Sequence, residues 1–95
     1  MSYYSNENFE RNGEMEIEES LSELLEGEVC RVKAVCLEGN MKKRLADLGV
    51  IEGTKIECLH TSMFDDPTAY LIRGAVIAIR KSDSKKIIVE KVKTV

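Results

Sequence analysis

The chain has 95 residues, only 5% of them aromatic, no Trp and a net charge of −3. That length suits one domain with a small core of Val, Ile, Leu and Ala. No apolar run approaches the roughly 18 residues of a membrane span, and the acidic start "MSYYSNENFERNGEMEIEES" lacks the apolar region of a signal peptide, so the expected compartment is the cytoplasm.

The three cysteines are odd in number and have no C-x-x-C spacing. A disulfide framework is not expected, and a reducing compartment suits them. Charge is unevenly spread. Residues 1–26 carry eight acids and one base, a net of −7, while residues 27–95 carry a net of +4. The chain reads as an acidic tail joined to a mildly basic domain.

Residues 1–19 are polar and acidic, and the expectation is a disordered tail. The domain then runs over 20–95. In "SLSELLEGE", Ser20 or Ser22 is a candidate cap for a short helical turn carrying Leu21, Leu24 and Leu25, with Gly27 ending it. "VCRVKAVCL" is rich in β-branched residues and reads as a strand, with Cys30, Val32, Ala34 and Cys36 on one face. Glu38-Gly39-Asn40 makes a turn, and Asn40 is a good N-cap.

A helix follows, "NMKKRLADLGV". Met41, Leu45 and Leu48 share one face. Gly49 stands where left-handed backbone is cheap only for glycine, and Val50 can fold back on the last turn. Lys42, Lys43 and Arg44 crowd the first turn, where the helix dipole disfavours cations by about 0.3–1 kcal/mol each. Features that break a local rule concentrate at functional sites. The cluster is therefore a candidate surface for an acidic protein, anionic headgroups or the chain's own tail, weighed against the commoner case of a solvated helix face.

Glu52-Gly53 is a second turn, and "TKIECLHTS" begins a strand with Ile56, Cys58 and His60 on one face. Phe64-Asp65-Asp66-Pro67 is a loop ahead of a strand entrance. "TAYLIR", Gly74 and "AVIAIRKS" read as a hairpin turning at Arg73-Gly74. Ser82-Asp83-Ser84 is a turn, and "KKIIVEKVKTV" is a last strand. Five short strands and one helix favour a small closed barrel, which also removes exposed strand edges.

The segments "LSELLEGE", "MKKRLADLGVIEGTKIE", "DDPTAYLIRGAVIAIRKS" and "IIVEKV" together resemble the FeoA family, small cytosolic components of bacterial ferrous iron transport. The resemblance runs from Leu21 to about Val92. It is carried by Leu45, by Leu48-Gly49-Val50 with Gly53 and Ile56, and then by Asp66-Pro67, Gly74 and Arg80. It implies a mainly β fold, a five-stranded SH3-like barrel with a short helix inserted after the first strand. It also implies a non-enzymatic accessory role on FeoB, a membrane transporter with a cytosolic GTP-binding domain. The same domain occurs in diphtheria-toxin-repressor-type metal regulators. This chain departs from the family in its acidic extension and in Asp65, where glycine often precedes Asp-Pro.

No nucleophile signature, catalytic histidine pair or phosphate loop is present, so no enzyme is expected. His60 reads first as a histidine closing one end of the barrel. Metal binding is the second function class. Ferrous iron or another divalent transition metal accepts imidazole and carboxylate, and His60, Asp65 and Asp66 are the candidate ligands, with Cys58 on a neighbouring strand. Two aspartates before a proline are more often turn chemistry. Cys30 and Cys36 lie roughly 20 Å apart on a straight strand and cannot share an ion. A nucleic-acid-binding barrel is the third class, but the basic residues are not interleaved with aromatics, so none is expected as partner. The favoured partner is a FeoB-like transporter at the inner face of the membrane. Lys42, Lys43 and Arg44, the loop Asp65-Asp66-Pro67, and Arg73-Gly74 are the expected contacts.

Overall fold

The computed structural model describes residues 9–11, 14–60 and 66–94. In chain order these form β1 (Phe9–Arg11), β2 (Glu14–Ser20), a 3₁₀ turn (Leu21–Glu23), β3 (Val29–Val35), α1 (Gly39–Asp47), β4 (Lys55–His60), β5 (Thr68–Ile72), β6 (Ala75–Ile79), α2 (Lys81–Ser84) and β7 (Ile87–Thr94). All the strands belong to one antiparallel sheet with the order β1-β2-β7-β3-β4-β5-β6. The sheet curls around a single core into a small SH3-like barrel, with α1 inserted between β3 and β4.

The expected five strands are all present, preceded by a hairpin that sequence reading did not anticipate. Seven strands are seen among the described residues. The expectation of an unstructured segment through residue 19 is corrected where the chain is described. β2 pairs with β7 along its whole length, from Glu14 opposite Thr94 to Ser20 opposite Ile88. The physical reason is twofold. "EMEIEES" alternates acidic and apolar residues with the period of a strand, and β7 offers it an otherwise open edge. The acids are also matched by bases: Lys33 on β3 bonds to Glu18, and Lys91 on β7 reaches Glu19 at 3.2 Å.

Two bulges shape the barrel. Between Val32 and Ala34 on β3 the register against β7 shifts by one residue, and the same happens between Cys58 and His60 on β4. An extra residue reverses which parity faces inward. Cys30 and Val32 are buried, yet Cys36 is exposed and Leu37 is buried instead. The single-face expectation for Cys30 through Cys36 therefore fails at the bulge. On β4, Ile56 and Cys58 are fully buried, but the alternation carrying them is interrupted at Leu59.

Helix α1 ends as its sequence dictates. The amide of Val50 donates to the Leu45 carbonyl at 2.8 Å and that of Gly49 to the Ala46 carbonyl at 3.0 Å. This is the double bond pattern of a Schellman ending, with Gly49 at φ +100°. The Thr54 hydroxyl donates to the Gly49 carbonyl at 2.7 Å and pins that end to the barrel. The start of the helix differs from expectation. It begins at Gly39, and its N-cap position, Glu38, makes no side-chain capping bond.

The core gathers Leu21 from the 3₁₀ turn and Leu24 just after it, Leu45 and Val50 from the helix segment, and Ile56, Tyr70, Ile72, Ile79, Ile87 and Val89 from the strands. Leu25 was expected with its neighbours but is exposed. The expected turn at Ser82-Asp83-Ser84 is a short helix, α2. Asp66 accepts a hydrogen bond from the Lys81 amide at 2.8 Å there, which satisfies one of the free amides of its first turn.

Candidate functional site: a groove between α1 and β6

The β5–β6 hairpin turns at Arg73 and Gly74, both at positive φ (+52° and +81°). That pair of angles is the signature of a type I′ turn, whose twist matches two tightly paired strands. β6 is the last strand of the sheet, and no described strand pairs with its outer edge. Its sequence AVIAI has no polar alternation, and Val76 is 67% exposed.

Helix α1 and β6 line one concavity. Leu45 is the helix's anchor in the core, and Met41 packs partly against it. Leu48, expected on the same buried face, is instead 43% exposed, because the helix ends there and only Val50 folds back inward. Between α1 and β6 lies a groove of about 400 Å³. Met41 and Leu48 line one wall and Val76 and Ile77 the other, with Pro67, Arg44, Arg80 and Asp83 completing it.

The structure sorts the expected contact residues. Arg44 and Pro67 come together in the groove, joined there by Arg80, a residue of the family motif. Lys42 and Lys43 are exposed on the same helix without lining it. Asp66 is committed to the Lys81 amide, and Arg73 and Gly74 stand at the hairpin tip against a separate cleft lined by Gly53 and Thr54. Of the expected metal ligands, His60 ends β4 with its backbone paired to Ala69, and Asp65 lies outside the described residues. Among the described residues no three His, Cys, Asp or Glu side chains are placed so that they could hold a metal ion. Val76 was missed at the sequence level; the available signal was an apolar strand with no polar face.

A second polar cluster lies where β2, β3 and β7 meet. Lys91 is gripped by both carboxylate oxygens of Glu28, at 2.9 and 2.8 Å, and by Glu19. Burial works against its charge, but its hydrogen bonds to Glu28 and the nearby Glu19 carboxylate outweigh that and hold its pKa above the ordinary lysine value. Beneath it, burial pushes the Cys30 thiol up to about 12, with the Glu19 charge adding to the effect. A thiol so raised stays protonated and unreactive. The chain's own acidic tail is one candidate occupant of the Lys42, Lys43 and Arg44 surface; of its acids, Glu18 and Glu19 sit on Lys33 and Lys91 instead.

The arrangement defines a class: a small SH3-like barrel with a groove rimmed by arginines beside a strand edge that no described strand pairs. Residues 19–91 match the model of the FeoA domain. The chain belongs to the FeoA family. A solution structure of the FeoA protein from Chlorobium tepidum superposes with a TM-score of 0.71 at 30% identity, covering 76% of this chain and 69% of that one. Two solved structures are alike in fold alone. A manganese-dependent transcriptional repressor has a TM-score of 0.71 at 16% identity, covering 78% of this chain and 41% of that one. FeoA from Stenotrophomonas maltophilia, complexed with zinc and described as a unique procaryotic SH3 domain protein, has a TM-score of 0.68 at 23% identity, covering 79% of this chain and 95% of that one. No curated protein matches the sequence.

Proposed function

We propose that this protein is a non-enzymatic accessory of bacterial ferrous iron uptake that docks on the cytosolic part of a FeoB-like membrane transporter. Family membership supports the iron-transport setting. The observation that carries the docking reading is the α1–β6 groove, where exposed Leu48 and Val76 stand beside Arg44 and Arg80. Isolated exposed apolar residues are ordinary, but apolar residues grouped in a concavity with a charged rim mark interaction sites. Lys42 and Lys43 add positive potential at the approach, which speeds encounter with an acidic surface.

The test is co-purification of the full chain with the transporter's cytosolic region, together with ferrous iron uptake in cells lacking the accessory. Capture of that region and restored uptake by the wild-type chain are expected. Failure of both overturns the reading.

A second reading is direct binding of a divalent transition metal, favoured by the zinc complex of the Stenotrophomonas maltophilia protein. Its residues would be His60, Asp65 and Asp66. Titration with zinc or ferrous ion, followed by resonance shifts at His60, separates the two readings.

A further inference from the structure

We propose that the α1–β6 groove takes an extended segment of a partner protein that alternates acidic and apolar residues, laid along the open edge of β6. This deepens the docking reading above and rests on it.

The backbone supplies the first argument. The two-residue turn makes Ile72 and Ala75 the hydrogen-bonded pair that closes the hairpin, with Leu71 opposite Val76 and Ala69 opposite Ala78. In an antiparallel ladder hydrogen-bonded and non-hydrogen-bonded pairs alternate. The amide and carbonyl of Val76 and Ala78 therefore point away from β5, onto the unpaired side. An apolar strand left this way is a template for an added strand, and natural proteins usually blunt such edges with lysine, proline or a bulge. β6 has none of these.

The side chains supply the second. Leu48 and Val76 both line the groove and offer apolar contact to alternate residues of an added strand. Arg44 and Arg80 line the same groove against one acid, Asp83, and neither guanidinium forms an ion pair or hydrogen bond with a described residue. Two guanidinium groups unpaired among the described residues call for carboxylates on the alternate positions, which they bind with two parallel hydrogen bonds each. An anionic membrane presents the same charge, but a flat plane of headgroups reaches the rim of a concave groove and leaves its apolar floor uncovered. A peptide fills both.

The test uses the full chain, labelled with ¹⁵N, and a short end-capped peptide of alternating Glu and Val. Shifts confined to β6 and α1, weakening with added salt, are expected. The same peptide with Lys in place of Glu, and vesicles of phosphatidylglycerol, should leave those resonances unmoved. Arg44→Glu with Arg80→Glu should weaken peptide binding at least about tenfold, as expected for two charge-assisted contacts reversed in sign. Val76→Pro removes an outward amide without a ladder bond to β5, and should weaken binding while the fold is kept. No shifts with the acidic peptide, equal shifts with the basic one, or vesicle binding alone overturns the proposal. If the wild-type chain captures the transporter's cytosolic region and the double arginine variant captures it equally, the groove proposal fails and the docking reading stands. If the peptide binds in the groove but the region is not captured, the groove's ligand class stands and the docking reading fails.

Discussion

The Arg73 side chain lies directly across Gly49. A Cβ placed on Gly49 would meet the Arg73 Cδ at 2.5 Å. One glycine thus joins the end of α1 to the tip of the β5–β6 hairpin, the two elements that flank the groove. It also carries φ +100°, a conformation that side chains other than glycine's avoid. Gly49→Ala should therefore destabilise the domain by about 1–2 kcal/mol, the usual cost of left-handed backbone with a Cβ. Adding Arg73→Ala should recover little of it, because the flexible arginine moves aside cheaply while the backbone strain stays. Urea unfolding of the two variants measures this.

The three cysteines should separate by reactivity. Cys30 and Cys58 are buried and Cys36 is exposed. A thiol reagent at neutral pH should modify one cysteine in the native protein and three after unfolding, with Cys36→Ser abolishing the native reaction. Mass spectrometry of the labelled chain gives the count.

Lys91 predicts a dependence on alkaline pH. Its folded-state pKa is raised, so its stabilising contribution is complete below the ordinary lysine value of 10.5 and is lost as pH rises past that toward the higher native value. Lys91→Met should be less stable than wild type at neutral pH, since it leaves Glu28 and Glu19 without their cation. The difference should narrow above pH of about 10.5. Chemical denaturation of both proteins across that range tests it.

The bond between Lys33 and Glu18 holds β2 to the barrel, and the Glu18 side chain is only 4% exposed. Removing the lysine strands a buried carboxylate. Lys33→Met should cost about 1–3 kcal/mol, the penalty of an unsatisfied buried polar group. Adding Glu18→Gln should recover part of that loss. A double-mutant cycle in urea reads the coupling directly.

Much of the barrel was legible in the sequence because local chemistry and tertiary demand agree there. Gly49 and Val50 end α1 as their residue types require, and Arg73-Gly74 turns β5 into β6. Pro67 stands just ahead of β5, where a missing amide costs nothing. Other features needed the fold. β2 was hidden because its acids dominate composition, while its strand period and its lysine partners on β3 and β7 count only once β7 lies alongside. The bulges at Lys33 and Leu59 carry no local signature, so Cys36 was assigned to the wrong face. The groove was half legible. The cations of α1 stood out against the helix dipole, but only the folded chain, in which α1 and β6 line one groove, shows that Arg44, and not Lys42 or Lys43, lines it with Arg80.

Docking through the α1–β6 face is tested most directly by mapping the ¹⁵N-labelled chain against the transporter's cytosolic region. Shifts and line broadening are expected on 41–47 of α1 and Leu48 after it, on Val76 to Ile79 of β6 and at Arg80, with β2 and β7 unmoved. Perturbation confined to β2 and β7, or none at saturating concentrations of the region, would contradict it.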